Sequence, residues 1–470
     1  MNQALRDRLA RDPHRPRYHF LPPAHWMNDP NGPLQYKGEY HMFYQHNPDG
    51  AYHANMHWGH AVSRDLVHWR HLPIALAPTP GGPDKDGIWS GCAVVHEGVP
   101  TIMYTGVRPQ VQCLAMSHDD MLTWQKYPGN PVIAAPPEGL TVTGFRDPFA
   151  WREGDEWRVV IGSGIEGVGG AALLYRSCDL IHWEYLGPLC IGKLEESGKM
   201  WECPNFFPLG DKHLLAVSPY GRVIYFLGGY DGRTFTPQTR GLLDFGESFY
   251  APNCLLDERG RRIMWGWLKE GRSKEAQIAS GWSGVHSLPR ELFLHPDGAL
   301  GMRPVAELGM LRRAHRRWAD LAITPEGSHF LGDWQGDTLE IIAAFAPGDA
   351  AEFGLVVRRA PDGSEQTIIA YNVAGRRLSI NGERSSLDET VMRKVVGGEI
   401  DRTGFGNLSG LEALTLHVYL DRSVIEVFAN ERSAIAYRVY PTRQDSLGVD
   451  CFAVGGRARL AACDVWEIGL

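Results

Sequence analysis

Ser63-Arg64-Asp65-Leu66-Val67-His68-Trp69 returns further along the chain as Ser177-Cys178-Asp179-Leu180-Ile181-His182-Trp183. A looser copy runs from Ser117 through Asp119 and Asp120 to Trp124, and a degenerate one from Tyr230-Asp231-Gly232 to Phe235. Each reads as a hairpin turn whose closing aromatic packs between neighbouring sheets. The four aromatics recur about every 50–60 residues, a spacing typical of repeat architectures.

A second series keeps the same phase: Asp29-Pro30, Ser90-Gly91, Asp147-Pro148, Glu202-Cys203-Pro204 and Ala251-Pro252. Proline cannot donate to a sheet ladder, so it belongs at the first residue or the edge of a strand. Five such strand starts predict five four-stranded blades, an all-β five-bladed β-propeller. Two stacked sandwiches would not explain two signals sharing one period. The repeat stops after Leu288-Pro289-Arg290-Glu291-Leu292. Residues 305–317 have helical spacing and a basic run at Arg312, Arg313, Arg316 and Arg317. A nucleic-acid contact is one reading of it, but short basic helix faces are usually solvated. Beyond 326, alternating segments such as Leu416–Leu420 and Val424–Phe428 predict a β-sandwich. The expected organisation is a catalytic propeller over 1–304, an interdomain helix and linker over 305–325, and a sandwich over 326–470.

Composition fits that picture and excludes others. The 470 residues are 43% hydrophobic and 22% charged, with 54 glycines, 31 prolines and 15 tryptophans, a turn-rich β profile. A net charge of −8 argues against nucleic acid or an anionic membrane as partner. No apolar run approaches a membrane span. The N-terminal stretch lacks the apolar core of a secretory signal and reads as a short helix leading into the first strand. Eight scattered cysteines without a CxxC pair are expected to be thiols in a reducing cytoplasm.

In a propeller the innermost strands begin around one end of a central channel, so the five in-phase positions should face one funnel. Three of them carry a carboxylate: Asp29, Asp147 and Glu202. Trp26, Met27, Trp89, Phe145, Phe149, Trp201, Phe206 and Phe207 flank them, residues expected to pack sugar faces and desolvate the acids. Glycoside cleavage needs such a set: one carboxylate to attack the anomeric carbon, one acid to protonate the leaving oxygen, and a third to hold ring hydroxyls.

The residues resemble glycoside hydrolase family 32, the invertases, inulinases and levanases. Trp26-Met27-Asn28-Asp29-Pro30-Asn31-Gly32 is similar to the family's nucleophile motif, Arg146-Asp147-Pro148 to its middle motif, and Trp201-Glu202-Cys203-Pro204 to its acid/base motif. Asp421-Arg422-Ser423-Val424-Ile425-Glu426-Val427-Phe428 resembles the signature of its C-terminal sandwich. The resemblance implies a retaining β-fructofuranosidase with Asp29 as nucleophile, Glu202 as acid/base and Asp147 as transition-state stabiliser. It implies fructose contacts from Trp26, Asn28, Gln45, Trp89, Ser90, Arg146 and Tyr250. Two positions depart from the pattern: His53 and Gly271 stand where the family commonly has tryptophans, both expected near the leaving group. His53 is therefore counted among the substrate-binding residues.

The implied partner is a small fructoside or oligosaccharide, and no cofactor is implied. His57 and His60 read as part of a sugar-binding wall rather than a metal pair, since no third ligand converges on them. Rival readings are an inverting arabinan or xylan hydrolase, a fructosyltransferase on the same scaffold, and a non-catalytic carbohydrate-binding homologue. The last should have lost a carboxylate, and all three are present.

Overall fold

The computed structural model describes residues 2–326, 334–400 and 414–470; the parts of the predicted sandwich at 327–333 and 401–413 lie outside them. A helix, Gln3–Arg11, opens the chain with Asn2 accepting from the Leu5 amide. Five antiparallel sheets follow. Their innermost strands are His25–Tyr36, Ile88–His96, Val142–Glu153, Glu202–Leu209 and Phe249–Leu256. These pack side by side in chain order, and the fifth returns against the first. Trp282–Ser283 seals the ring by running parallel to His25 and Trp26.

The repeated Ser-x-Asp turn joins the third and fourth strands of a blade. Asp65 Oδ1 accepts from the amides of Val67 at 3.0 Å and His68 at 2.8 Å. Asp179 repeats this with Ile181 at 2.9 Å and His182 at 2.8 Å. Such side-chain bonding to nearby amides is what makes aspartate a turn former. Leu66 and Leu180 share a φ of 66°, so the two turns have one shape. Of the closing aromatics, Trp124 packs against Phe43 of the preceding blade, whereas Trp69 packs against Phe20 ahead of the first strand and Phe235 against Phe206 of its own blade.

The prolines of the second series do not start strands. Pro30 lies sixth in its strand and Pro148 seventh. Each innermost strand instead loses register at the marked place, between Met27 and Pro30, Trp89 and Gly91, Arg146 and Phe149, Glu202 and Asn205, and Tyr250 and Asn253. A bulge leaves one residue out of the ladder, which is where a missing N–H costs nothing, and it re-aims the side chains beside it. Asp147, Cys203 and Ala251 take positive φ values of 62°, 45° and 45° within these bulges. Backbone of that kind persists where the surroundings over-determine it, commonly at functional sites.

The predicted interdomain helix is corrected. Ala306–Leu311 forms one 3-10 helix with Leu308 and Leu311 buried, and Arg312–Ile323 is the edge strand of the sandwich's six-stranded sheet. Two of its arginines are matched across the sheet: Arg312 reaches Glu340 at 2.6 Å and Arg317 reaches Asp464 at 3.1 Å. Charges on an edge strand discourage pairing with other chains, which accounts for the basic run without any partner. A five-stranded sheet faces the six-stranded one across an apolar core that includes Ile341, Phe353, Ile369, Val418 and Val465.

The Asp421–Phe428 segment fastens the two parts together. Asp421 accepts from the amides of Arg17, Tyr18 and His19, and Glu426 accepts from the Leu288 amide and binds Arg290 at 2.5 Å. His19 bridges both carboxylates, at 2.9 Å and 3.1 Å. Asp244 adds a second carboxylate 2.9 Å from Arg290. No described helix is long and apolar enough to cross a membrane.

Candidate active site

The bulges of three blades bring their acids to one pocket of about 220 Å³. Asn28, Asp29, Gln45, His53, Trp89, Ser90, Arg146, Asp147, Glu202 and Tyr250 all line it. Asp29 is half-buried. Ser90 Oγ donates to its Oδ2 at 2.5 Å and Asn28 Nδ2 to its Oδ1 at 3.1 Å. Trp26 does not line the pocket. Its indole N–H donates to Asn28 Oδ1 at 2.7 Å, which turns the amide so that its N–H₂ faces Asp29.

Asp147 is buried and accepts from the Cys203 amide at 3.0 Å; the Cys203 thiol lies 3.6 Å from both Asp147 Oδ2 and Asp29 Oδ2. Arg146 Nη2 donates to Glu202 Oε1 at 2.7 Å, and its Nε sits 3.9 Å from Asp147. The Tyr250 hydroxyl donates to Glu202 Oε2 at 2.6 Å. Trp89 lies under the Arg146 guanidinium, 5.7 Å from ring centroid to Cζ.

Burial pushes Asp29 up to about 7, and the nearby charges of Asp147 and Glu202 push the same way, against the hydrogen bonds from Ser90 and Asn28. Burial likewise raises Asp147 to about 6 despite the opposing charge of Arg146. The site therefore holds negative charge at a cost that an incoming electrophile relieves.

Several expectations change. Of the flanking apolar residues only Trp89 reaches the pocket; Met27, Phe145, Phe149, Trp201, Phe206 and Phe207 are buried in the blades. The other tryptophan in the wall is Trp267, packed on Trp26. His53 stands edge-on to Trp26 in the wall. Gly271 does not line the pocket. Its carbonyl accepts from the Met392 amide at 2.7 Å, and a Cβ there would meet Met392 and Tyr440 at 3.0 Å. His60 is buried and stacked on Phe43, bonded to His41, and no group of three or more metal-ligating side chains converges among the described residues.

Sequence reasoning missed Trp267 and Tyr220. Trp267 had a signal, the position four residues before Gly271 on the same stretch. Tyr220, whose hydroxyl accepts from Arg146 at 3.0 Å, sits in a turn with no repeat to mark it.

Comparison with known proteins gives a uniform result. The pattern "Glycosyl hydrolases family 32 N-terminal domain" matches residues 19–304, and "Glycosyl hydrolases family 32 C terminal" matches 307–467. The Escherichia coli sucrose-6-phosphate hydrolase is 35% identical over 97% of this chain and 95% of its own. A Bacillus subtilis levanase is 33% identical over 96% of this chain and 70% of its own. The crystal structure of fructan 1-exohydrolase IIa from Cichorium intybus superposes with a TM-score of 0.88 at 29% identity, covering 97% of this chain and 98% of that one.

Proposed function

Since the chain belongs to glycosyl hydrolase family 32 and is a β-fructofuranosidase-type glycoside hydrolase, we propose that it releases terminal β-D-fructofuranosyl units from sucrose or short fructans with retention of configuration. The observation that carries this reading is the convergence of Asp29, Asp147 and Glu202 from three blades on one small pocket. At about 220 Å³ it falls below the roughly 300–1,000 Å³ of drug-sized sites, a size suited to one sugar ring at a chain end.

In the first step an Asp29 carboxylate oxygen attacks the anomeric carbon. The bond to the leaving oxygen breaks with its electron pair, and Glu202 supplies the proton that neutralises that oxygen. Asp147 hydrogen-bonds ring hydroxyls, contacts that strengthen as the oxocarbenium ion develops. In the second step Glu202 takes a proton from water, whose oxygen displaces Asp29 from the same carbon. Arg146 holds Glu202 against Asp147, and Ser90 and Asn28 hold Asp29 in its attacking orientation. Retention of all three acids in bonded positions disfavours a purely carbohydrate-binding role.

The test is stereochemical. NMR at early times on sucrose is expected to show β-fructose before mutarotation mixes the anomers. Initial α-fructose would mean single displacement and overturn the retaining mechanism.

A further inference from the structure

The pocket has the size of one sugar ring, so the group leaving from fructose must lie outside it, beside Glu202, to receive its proton. One side chain stands at that place without lining the pocket. Tyr220 sits in the turn between the second and third strands of the fourth blade, Lys212–Ser218 and Ile224–Tyr230. Its hydroxyl accepts from Arg146 Nη2 at 3.0 Å, and the same nitrogen donates to Glu202 Oε1 at 2.7 Å. Its amide donates at 3.0 Å to the Tyr250 hydroxyl, which bonds Glu202 Oε2 at 2.6 Å. Tyr220 is thus tied to the partners of both Glu202 oxygens.

Those ties hold it in a posture that packing does not explain. Tyr220 is 55% exposed, and its φ of 52° lies in the left-handed region, which a bulky side chain enters at a cost. The turn is fixed at the next residue as well. Lys269, whose ammonium stands 4.6 Å from the centroid of the Tyr250 ring, donates to the Gly221 carbonyl at 3.1 Å. A tyrosine bonded at its polar tip and bare along its ring offers an apolar face beside a polar group. A sugar ring has the complementary make-up, a C–H face bordered by hydroxyls. The two positions expected to give the leaving group aromatic faces hold His53 and Gly271 instead, and Gly271 lies away from the pocket.

Building on the fructosidase reading, we propose that Tyr220 is a specificity-determining residue for the leaving group: the C–H face of a neutral sugar ring stacks on its phenol ring while Glu202 protonates the departing oxygen. The strained turn is then the means of keeping that ring bare and aimed. Its hydroxyl steadies Arg146 against Glu202, and its face receives the sugar. Acid and platform belong to one blade, the fourth, so a sugar stacked on Tyr220 is placed relative to the proton it needs.

The experiment compares two substrates on the full chain: sucrose, whose leaving group is a sugar, and methyl β-D-fructofuranoside, whose leaving group is methanol. Both present the same fructosyl unit, so the ratio of their kcat/KM values reads the leaving-group side alone and is untouched by any loss of folded protein. Tyr220→Ala is expected to lower that ratio by roughly five- to tenfold, mainly through a higher KM for sucrose, as the loss of one aromatic face should. Tyr220→Phe keeps the face and removes the bond to Arg146; it should slow both substrates alike and leave the ratio where it was. A ratio unmoved by Tyr220→Ala, or moved equally by Ala and Phe, would overturn the platform and leave the fructosidase reading standing. Hydrolysis of neither substrate by the wild type would overturn both.

Discussion

Tyr250 and Glu202 are joined by a 2.6 Å hydrogen bond across two adjacent blades, with the tyrosine hydroxyl as donor. The same hydroxyl lies 3.0 Å from the Ser218 carbonyl and accepts from the Tyr220 amide at 3.0 Å. Tyr250→Phe removes this anchor and keeps the ring that packs Lys269. A hydrogen bond to a charged group is worth about 1.5–3 kcal/mol, so kcat should fall by roughly 10- to 100-fold with little change in KM. Steady-state kinetics on sucrose checks this; an unchanged kcat would mean that Glu202 is oriented by Arg146 alone.

Asp29→Asn and Glu202→Gln are expected to lower turnover by about a thousandfold or more, as removal of the proposed nucleophile and of the proposed acid would. Their folding effects should differ from those of core substitutions. Folding raises the Asp29 pKa, so the ionised carboxylate costs stability above the unfolded value of about 4, and that cost accrues as pH rises toward about 7. Thermal melting at pH 7.5 should therefore give Asp29→Asn a Tm equal to or above the wild type's. A large drop would show that Asp29 is a packing residue.

On the proposed mechanism, attack requires ionised Asp29. With burial holding its pKa near 7 in the free protein, kcat/KM should decline as pH falls through about 7 and not only near 4. Because Asp147 and Glu202 repel the same charge, the limb belongs to the set. A profile flat down to pH 5 would contradict the burial of Asp29 as the controlling influence.

Gly271→Trp should destabilise the chain, since even a Cβ there meets Met392 and Tyr440 at 3.0 Å. Overpacking of this kind typically costs about 1–3 kcal/mol, readable as a lower denaturation midpoint. Restoring an aromatic at this site would thus evict the sandwich from the rim instead of rebuilding a sugar platform.

Breaking the seam between the two parts should cost more. Glu426→Gln removes the carboxylate from Arg290 and His19 together, both buried. Leaving a buried cation underpaired costs about 3–5 kcal/mol. The seam also carries a pH signature. Burial lowers the His19 pKa, but the hydrogen bonds its ring donates to Asp421 and Glu426 outweigh it and leave it raised, while Asp421 and Glu426 are lowered despite burial by their bonded partners. Its stabilisation should be full below about 6.5 for the histidine and above about 4 for the acids, and fade outside that window. Urea titrations of wild type and Glu426→Gln across pH 4–9 measure the difference.

The propeller and its three acids were legible because a repeat states the same thing several times. A turn built on Asp65 and again on Asp179 leaves a copy that can be matched by eye, and in-phase acids inherit its period. The reading of the prolines failed in a specific way. A proline excluded from the ladder marks a strand start and a bulge equally well, and only the register of the partner strand separates them. Arg312–Arg317 looked helical because charge spacing on an exposed edge strand has no apolar alternation to betray it. Gly271 was misplaced because its neighbours, Met392 and Tyr440, lie in another part of the chain. Tyr220 left no trace because it serves the site from a unique turn.

The parallel pairing of Trp282–Ser283 with His25–Trp26 has a consequence for the making of the protein. The strand that presents Asp29 is completed by residues synthesised some 250 positions later. A chain still emerging from the ribosome therefore has its acids in hand but not in place, with the first blade open at its inner edge. Until the last blade returns to meet the first, the strand that carries Asp29 lacks its parallel neighbour and the ring stays open.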